Sequence, residues 1–184
     1  MENKLNERHV SAGCAVFTVA VLSILTLGQL EAKNRVYYSP DRKVRVVIVP
    51  MGKGKNKMTE SRLDILAGRR VVRSRDFSSE DGEHGEAVRR GTWTDDGQYF
   101  IFNTINSGGQ QPWHCATYYF DRSREKIFSL DDYVGPITRD FFIPGHDSVC
   151  VFVLNPKKKY PAADSVAVDL RTLPDSPPAR KPGR

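Results

Sequence analysis

The stretch Gly91–Thr104, GTWTDDGQYFIFNT, sets a Trp before a short acidic turn that ends in Gly97, then continues as a run of aromatic and β-branched residues. Asp95 and Asp96 invite a reading as two working carboxylates. Adjacent residues near a strand end diverge, however, so they are poorly placed to share one substrate atom. Asp also favours turns, because its carboxylate caps nearby backbone N–H groups, and a glycine supplies the positive φ that such turns need. The stretch therefore reads as a hairpin turn feeding a strong strand over Gln98–Ile105.

Working outward, strand patterns dominate beyond residue 35, with no sustained period near 3.6. KVRVVIVPM (Lys43–Met51) is β-branched, SRLDILAGRRVVRSRDF reads as two short strands around Gly68, and HCATYYFD, EKIFSL, SVCVFVLN and SVAVDL follow at short spacing. Gly, Pro, Asn and Asp punctuate them, as in an all-β fold built from hairpins. Three segments share one order of aromatic residue, turn and apolar strand: YYSPDRKVRVVIVP from Tyr37, GTWTDDGQYFIFNT from Gly91, and DFFIPGHDSVCVFVLN from Asp140. Taking Tyr38, Trp93 and Phe142 as the aromatic positions, the spacings are 55 and 49 residues. Periods of this size point to repeated sheets such as propeller blades.

The WTDDGQYFIF segment (Trp93–Phe102) resembles the Trp-Ser-Pro-Asp-Gly-Lys signature of TolB-type, WD-repeat-like β-propeller blades. YSPDRK (Tyr38–Lys43) is similar to it with Arg42 in the glycine position, and FIPGHDS (Phe142–Ser148) is an expanded form. The resemblance implies an all-β body of three blade-like antiparallel sheet repeats over residues 33–173, with units of about 36–89, 90–139 and 140–173. Typical propellers close with about 4–8 blades, so three units imply an open or incomplete propeller, a rearranged sandwich, or a fragment completed by self-association. Lys53, Lys55, Lys57 and Lys157, Lys158, Lys159 lie where loops leave the strands and would guard open sheet edges.

The N-terminus carries a targeting pattern. Lys4 and Arg8 precede a charge-free apolar run from Ser11 to Gly28, followed by small and polar residues. That order is the order of a secretory signal, with cleavage after Ala32 or after Gly28. The same run is near the roughly 20 residues that span hydrocarbon, so an anchoring apolar helix is the alternative. Residues 1–32 are thus read as a signal peptide or signal anchor. The expected location is exported, either periplasmic or anchored in the inner membrane with the domain outside the cytoplasm. Cys14 precedes the apolar core and is not a lipid-attachment site. The chain carries a net charge of +6, and without residues 1–32 it would carry +7. This charge favours anionic surfaces, whereas export argues against nucleic acid. Residues 174–184, PDSPPARKPGR, read as a disordered basic tail.

An exported body leaves Cys115 and Cys150 as an even pair. A disulfide between them would close a medium-length loop and stabilise by roughly 3–4 kcal/mol; the alternative is two buried thiols on separate strands. Neither reading makes them metal ligands. On a strand His146 and Cys150 would stand about 13 Å apart, and no zinc-type spacing exists among His84, His114, Cys115, His146 and Cys150. GHDS (Gly145–Ser148) holds His, Asp and Ser in consecutive positions, which point apart instead of converging as a triad. MGKGKNK lacks the Gly-Lys-Ser/Thr ending of a phosphate loop. DFSSEDGEHGEAVRR (Asp76–Arg90) reads as an inter-unit loop without calcium-loop spacing. No catalytic residue, metal or cofactor is assigned.

Trp113 and His114, in NSGGQQPWH, are the ligand-binding candidates, since an aromatic beside flexible glycines can stack on a sugar or peptide. The expectation is a non-enzymatic exported module for protein interaction or scaffolding in the cell envelope, with an envelope protein as partner. The alternative is a secreted enzyme or a glycan- or ligand-binding module using the loop around Trp113 and His114.

Overall fold

A computed structural model describes residues 33–51, 60–82, 84–106, 113–155, 157 and 162–177. The apolar segment of residues 11–28, the lysines at 53, 55, 57, 158 and 159, and residues 178–184 lie outside the described residues. Among the described residues no helix is long and apolar enough to cross a membrane.

Among the described residues ten strands form three antiparallel sheets. The first sheet runs in order through β1 (Arg35–Tyr38), β2 (Val44–Pro50), β3 (Ser61–Ala67) and β4 (Arg70–Asp76). The second repeats the plan with β5 (Glu86–Trp93), β6 (Tyr99–Asn106), β7 (Thr117–Asp121) and β8 (Lys126–Ser129). A single-turn helix, α1 (Asp131–Val134), leads to the third sheet. There β9 (Ser148–Leu154) pairs with β10 (Ala163–Asp169), and bridges at Ile137–Val153 and Phe142–Cys150 add a broken inner segment. Two meanders of four strands and one reduced sheet realise the propeller-like, all-β repeat.

The opening turn is built twice with the same bonds. In the second unit Thr94 Oγ1 donates to Asp96 (2.6 Å), whose carboxylate also accepts the Gln98 amide (3.0 Å), and the Thr94 amide donates to the Tyr99 carbonyl (2.9 Å). In the first, Ser39 Oγ donates to Asp41 (2.6 Å), Asp41 accepts the Lys43 amide (3.1 Å), and the Ser39 amide donates to the Val44 carbonyl (2.9 Å). Asp96 is therefore a turn brace and Asp95 is exposed, so the two acids do not act together. Gly97 has φ 69° and its counterpart Arg42 has φ 56°, a left-handed backbone that disfavours a side chain. Arg122 ties the two turns together, donating to Asp41 at 2.9 Å while its backbone amide bonds to the Gln98 carbonyl.

In the third unit the hairpin is expanded, and the same closing bond runs from the Phe142 amide to the Cys150 carbonyl at 3.1 Å. Phe142 thus takes the place of Ser39 and Thr94. The counterpart of Tyr38 and Trp93 is Phe141, one residue before the Phe142 that the sequence reading selects. In an extended chain that single step is a change of sheet face. Phe141 is buried and Phe142 is 47% exposed.

The second sheet is buried on both faces. Phe100, Phe102, Tyr118 and Phe120 meet Val44, Val46, Ile48, Leu63 and Ile65 of the first sheet, with Trp93 among them. Tyr99, Ile101, Tyr119 and Phe128 meet Val149, Val151 and Val168 of the third, with Phe141 among them. Strands covered on both sides read as continuous apolar runs, which is why YFIF shows no polar alternation. Gly91 leaves room for the Phe100 ring, into which a Cβ would collide.

Asp76–Arg90, expected to be a loop throughout, divides in two. Glu86–Arg90 begins β5, and the preceding bend is clamped by the buried Glu60, whose carboxylate accepts the Gly85 amide (2.6 Å), the Ser79 amide (3.2 Å) and the Ser79 hydroxyl. The missed strand carries Arg89, Arg90 and Gly91 in a row, which obscures its apolar alternation.

Arg42→Gly should raise unfolding free energy by roughly 0.5–1 kcal/mol, the relief of left-handed strain less the added chain entropy. Gly97→Ala should lower it by about 1–2 kcal/mol. Denaturant titration of both variants checks that one turn is built twice. Burial acts to raise the Glu60 carboxyl, but hydrogen bonds from Ser79 and Gly85 outweigh it and hold it below its usual value. A carboxyl depressed in the folded state contributes stability above its unfolded value and loses it as pH falls through the folded one. The stability gap between wild type and Glu60→Gln should therefore be widest at neutral pH and narrow on acidification; a gap independent of pH excludes the clamp as a charged one.

Candidate functional site

Trp113 and His114 lie on the segment that enters β7, and both are half-buried. Their rings are tilted at 55° with centroids 5.7 Å apart. His114 Nε2 lies 2.7 Å from Asp131 Oδ1. A carboxylate only accepts, so this nitrogen is the donor. Asp131 stands at the start of α1 and is nearly buried. Its Oδ2 accepts the Thr117 amide at 2.9 Å, and its Oδ1 also accepts the Ile137 amide at 3.1 Å. One carboxylate thereby fastens the entry to β7, the helix and the inner segment of the third sheet.

Cys115 follows directly, its amide donating to the Ile137 carbonyl at 2.8 Å. Burial pushes its thiol up, and Arg89 beside it offsets this only in part. The thiol is therefore protonated at neutral pH and is a poor nucleophile. Cys150 lies on β9, on the face opposite Val149 and Val151, with its sulfur 3.2 Å from Ser165 Oγ. Both cysteines are free and buried. Strand alternation turns Cys150 away from the core between the second and third sheets, while Cys115 faces Arg89. The disulfide reading gives way to that of separate thiols.

Around this corner runs a second polar network that the sequence reading did not find. Arg90 donates to Asp140 (3.1 Å) and to the Phe141 carbonyl (3.1 Å), and the buried Asn103 donates to Asp140 (3.1 Å) while accepting the Arg90 amide (3.2 Å). Arg35 repeats this reach one unit earlier, donating to the carbonyls of Arg89 (2.7 Å) and Val88. An arginine three residues before the aromatic position thus ties each inner strand to the next.

The remaining candidates do not converge. His146 is exposed, Asp147 pairs with Arg171 at 3.1 Å, and Ser148 starts β9. His84 pairs with Asp81 in the exposed bend after β4. Among the described residues there is no group of three or more His, Cys, Asp or Glu arranged to hold a metal ion. A hollow of about 310 Å³ opens over β9 and β10, lined by Val153, Leu154, Asn155, Lys157, Asp164 and Val166. Its polar lining is partly self-satisfied, since Asn155 donates to Asp164.

Successive antiparallel sheets, the second and third each feeding an aromatic residue into the seam behind it, give the chain a propeller-like all-β fold. No family model matches the chain, and no curated protein matches it. Similar solved structures include TolB from Acinetobacter baumannii, at 12% identity and a TM-score of 0.39, over 75% of this chain and 30% of that one. The periplasmic gluconolactonase PpgL of Pseudomonas aeruginosa is similar at 11% identity and a TM-score of 0.40, over 74% and 39%. A prolyl endopeptidase is similar at 11% and 0.36, over 67% and 17%. The chain spans less than two-fifths of the length of each of these structures.

Asp131→Ala should free the Thr117 and Ile137 amides together. Hydrogen exchange at both should accelerate about tenfold or more, the loss expected for a bond to a charged acceptor. Acceleration at only one of them contradicts the shared brace.

Proposed function

We propose that this chain is a non-enzymatic exported module for protein interaction in the cell envelope, presenting the loop surface around Trp113. The observation that carries this reading is the state of Asp131. Both of its oxygens are engaged, by His114, Thr117 and Ile137, so the one His–Asp pair at the candidate site works as a brace. The Cys115 thiol beside it is held protonated by burial. Export rests on the charged-then-apolar order of residues 1–32, and the basic body fits an acidic partner surface.

The second reading, a ligand-binding module, is favoured by the half-exposed Trp113 ring lying against His114, a surface on which a sugar or peptide can stack. One preparation tests both. The native envelope fraction is captured on the tagged chain, and the N-terminus of the recovered chain is sequenced. A defined partner retained by wild type and lost with Trp113→Ala supports the interaction module. Recovery of the chain alone, together with saturable glycan binding that needs Trp113, supports the ligand module instead.

A further inference from the structure

Among the described residues no sheet packs on the outer face of the first sheet or of the third, and these two faces are the two halves of a seam that the chain already builds twice. The closing bonds from Ser39 to Val44, Thr94 to Tyr99 and Phe142 to Cys150 place the three units in register. In that register Tyr38, Trp93 and Phe141 correspond. Trp93 lies in the seam between the first and second sheets, and Phe141 in the seam between the second and third. Tyr38 points out of the first sheet and is 57% exposed.

The other half of each seam is equally regular. Val44 and Val46 face the second sheet, and their counterparts Tyr99 and Ile101 face the third. The next counterparts, the buried Cys150 and the half-buried Phe152, lie on the outward side of the third sheet beside the exposed Phe142, with the two Phe rings 6.4 Å apart. Five large apolar side chains are markedly exposed among the described residues. Val36, Tyr38 and Val71 lie on the outer face of the first sheet and Phe142 on that of the third, leaving only Ile105 elsewhere. Apolar exposure thus concentrates on the two faces whose counterparts are buried inside the same chain.

We infer that a second copy of this chain covers both faces. The outer face of the first sheet in one copy seats on the outer face of the third sheet in its partner, and the reverse contact closes the pair. Tyr38 then occupies the seam position held elsewhere by Trp93 and Phe141. Unlike faces meet at each contact, so association either closes into a ring or runs on as a filament. Two copies supply six sheets, inside the range of about 4–8 at which such stacks close. This association goes beyond the proposed envelope contact and uses a different surface, so either can fail without the other.

The test is sedimentation of the full chain in a nonionic detergent, with Tyr38→Asp, Phe142→Asp and their equimolar mixture. Circular dichroism confirms that each variant is folded, and Val36→Asp substitutes for Tyr38→Asp if that variant is not. Wild type is expected at the mass of two copies at about 100 μM, well above the dissociation constant of a stable interface. Each variant alone spoils both contacts and should sediment as one copy, with affinity reduced tenfold or more. In the mixture one of the two contacts carries no substitution, so the two-copy species should return. A wild-type monomer overturns the inference. So does association that either variant leaves intact, which would mean like faces meeting or the apolar N-terminal segment pairing. A mixture that stays monomeric, or a mass that grows without limit, overturns it as well.

Discussion

The structure depends on burying the second sheet from both sides. Along β6 and β7, alternate residues serve different cores: Phe100, Phe102, Tyr118 and Phe120 toward the first sheet, Tyr99, Ile101 and Tyr119 toward the third. Neither core exists without this one sheet, which has no solvent face over Tyr99–Thr104 and Thr117–Asp121. Polar groups within it must then be satisfied locally. Asn103 and Thr104 are buried and bonded to Arg90, Asp140, Glu86 and the Ala116 carbonyl.

The sheets are held in register by polar contacts at the ends of the strands. Arg122 links two turns, Arg35 and Arg90 reach forward to carbonyls of the next inner strand, and Asp131 gathers three segments. These bonds add direction to a hydrophobic stack that would otherwise tolerate sliding. They also account for the candidate chemistry. Asp96, Asp131 and Asp147 each hold chain in place, through Thr94 and Gln98, through His114, and through Arg171 respectively.

Much of this was legible in the sequence because it is local. The WTDDG turn, the strands on either side of it and the kinship of YSPDR follow from residues within one hairpin. The third unit was legible only in outline. Its expanded hairpin leaves two adjacent phenylalanines, and nothing local tells which faces the core; the bridge from Phe142 to Cys150 decides it. β5 was hidden because Arg89 and Arg90 interrupt its apolar pattern beside a bulge between Val88 and Arg90. The braces were out of reach for another reason. His114 and Asp131 are 17 residues apart, and Arg90 and Asp140 are 50 apart, so no spacing rule connects them.

The two-sided burial of the second sheet has a consequence for how the chain loses its structure. In a row of units that touch only their neighbours, stability is a sum of unit terms and seam terms. Here both seams share one central member, so melting that member removes both at once. Among the described residues the outer sheets share no core, yet their fates are tied through Phe100 on one side and Ile101 on the other. Damage to the third sheet is therefore transmitted as lost cooperativity to the first, through a sheet that neither of them can replace.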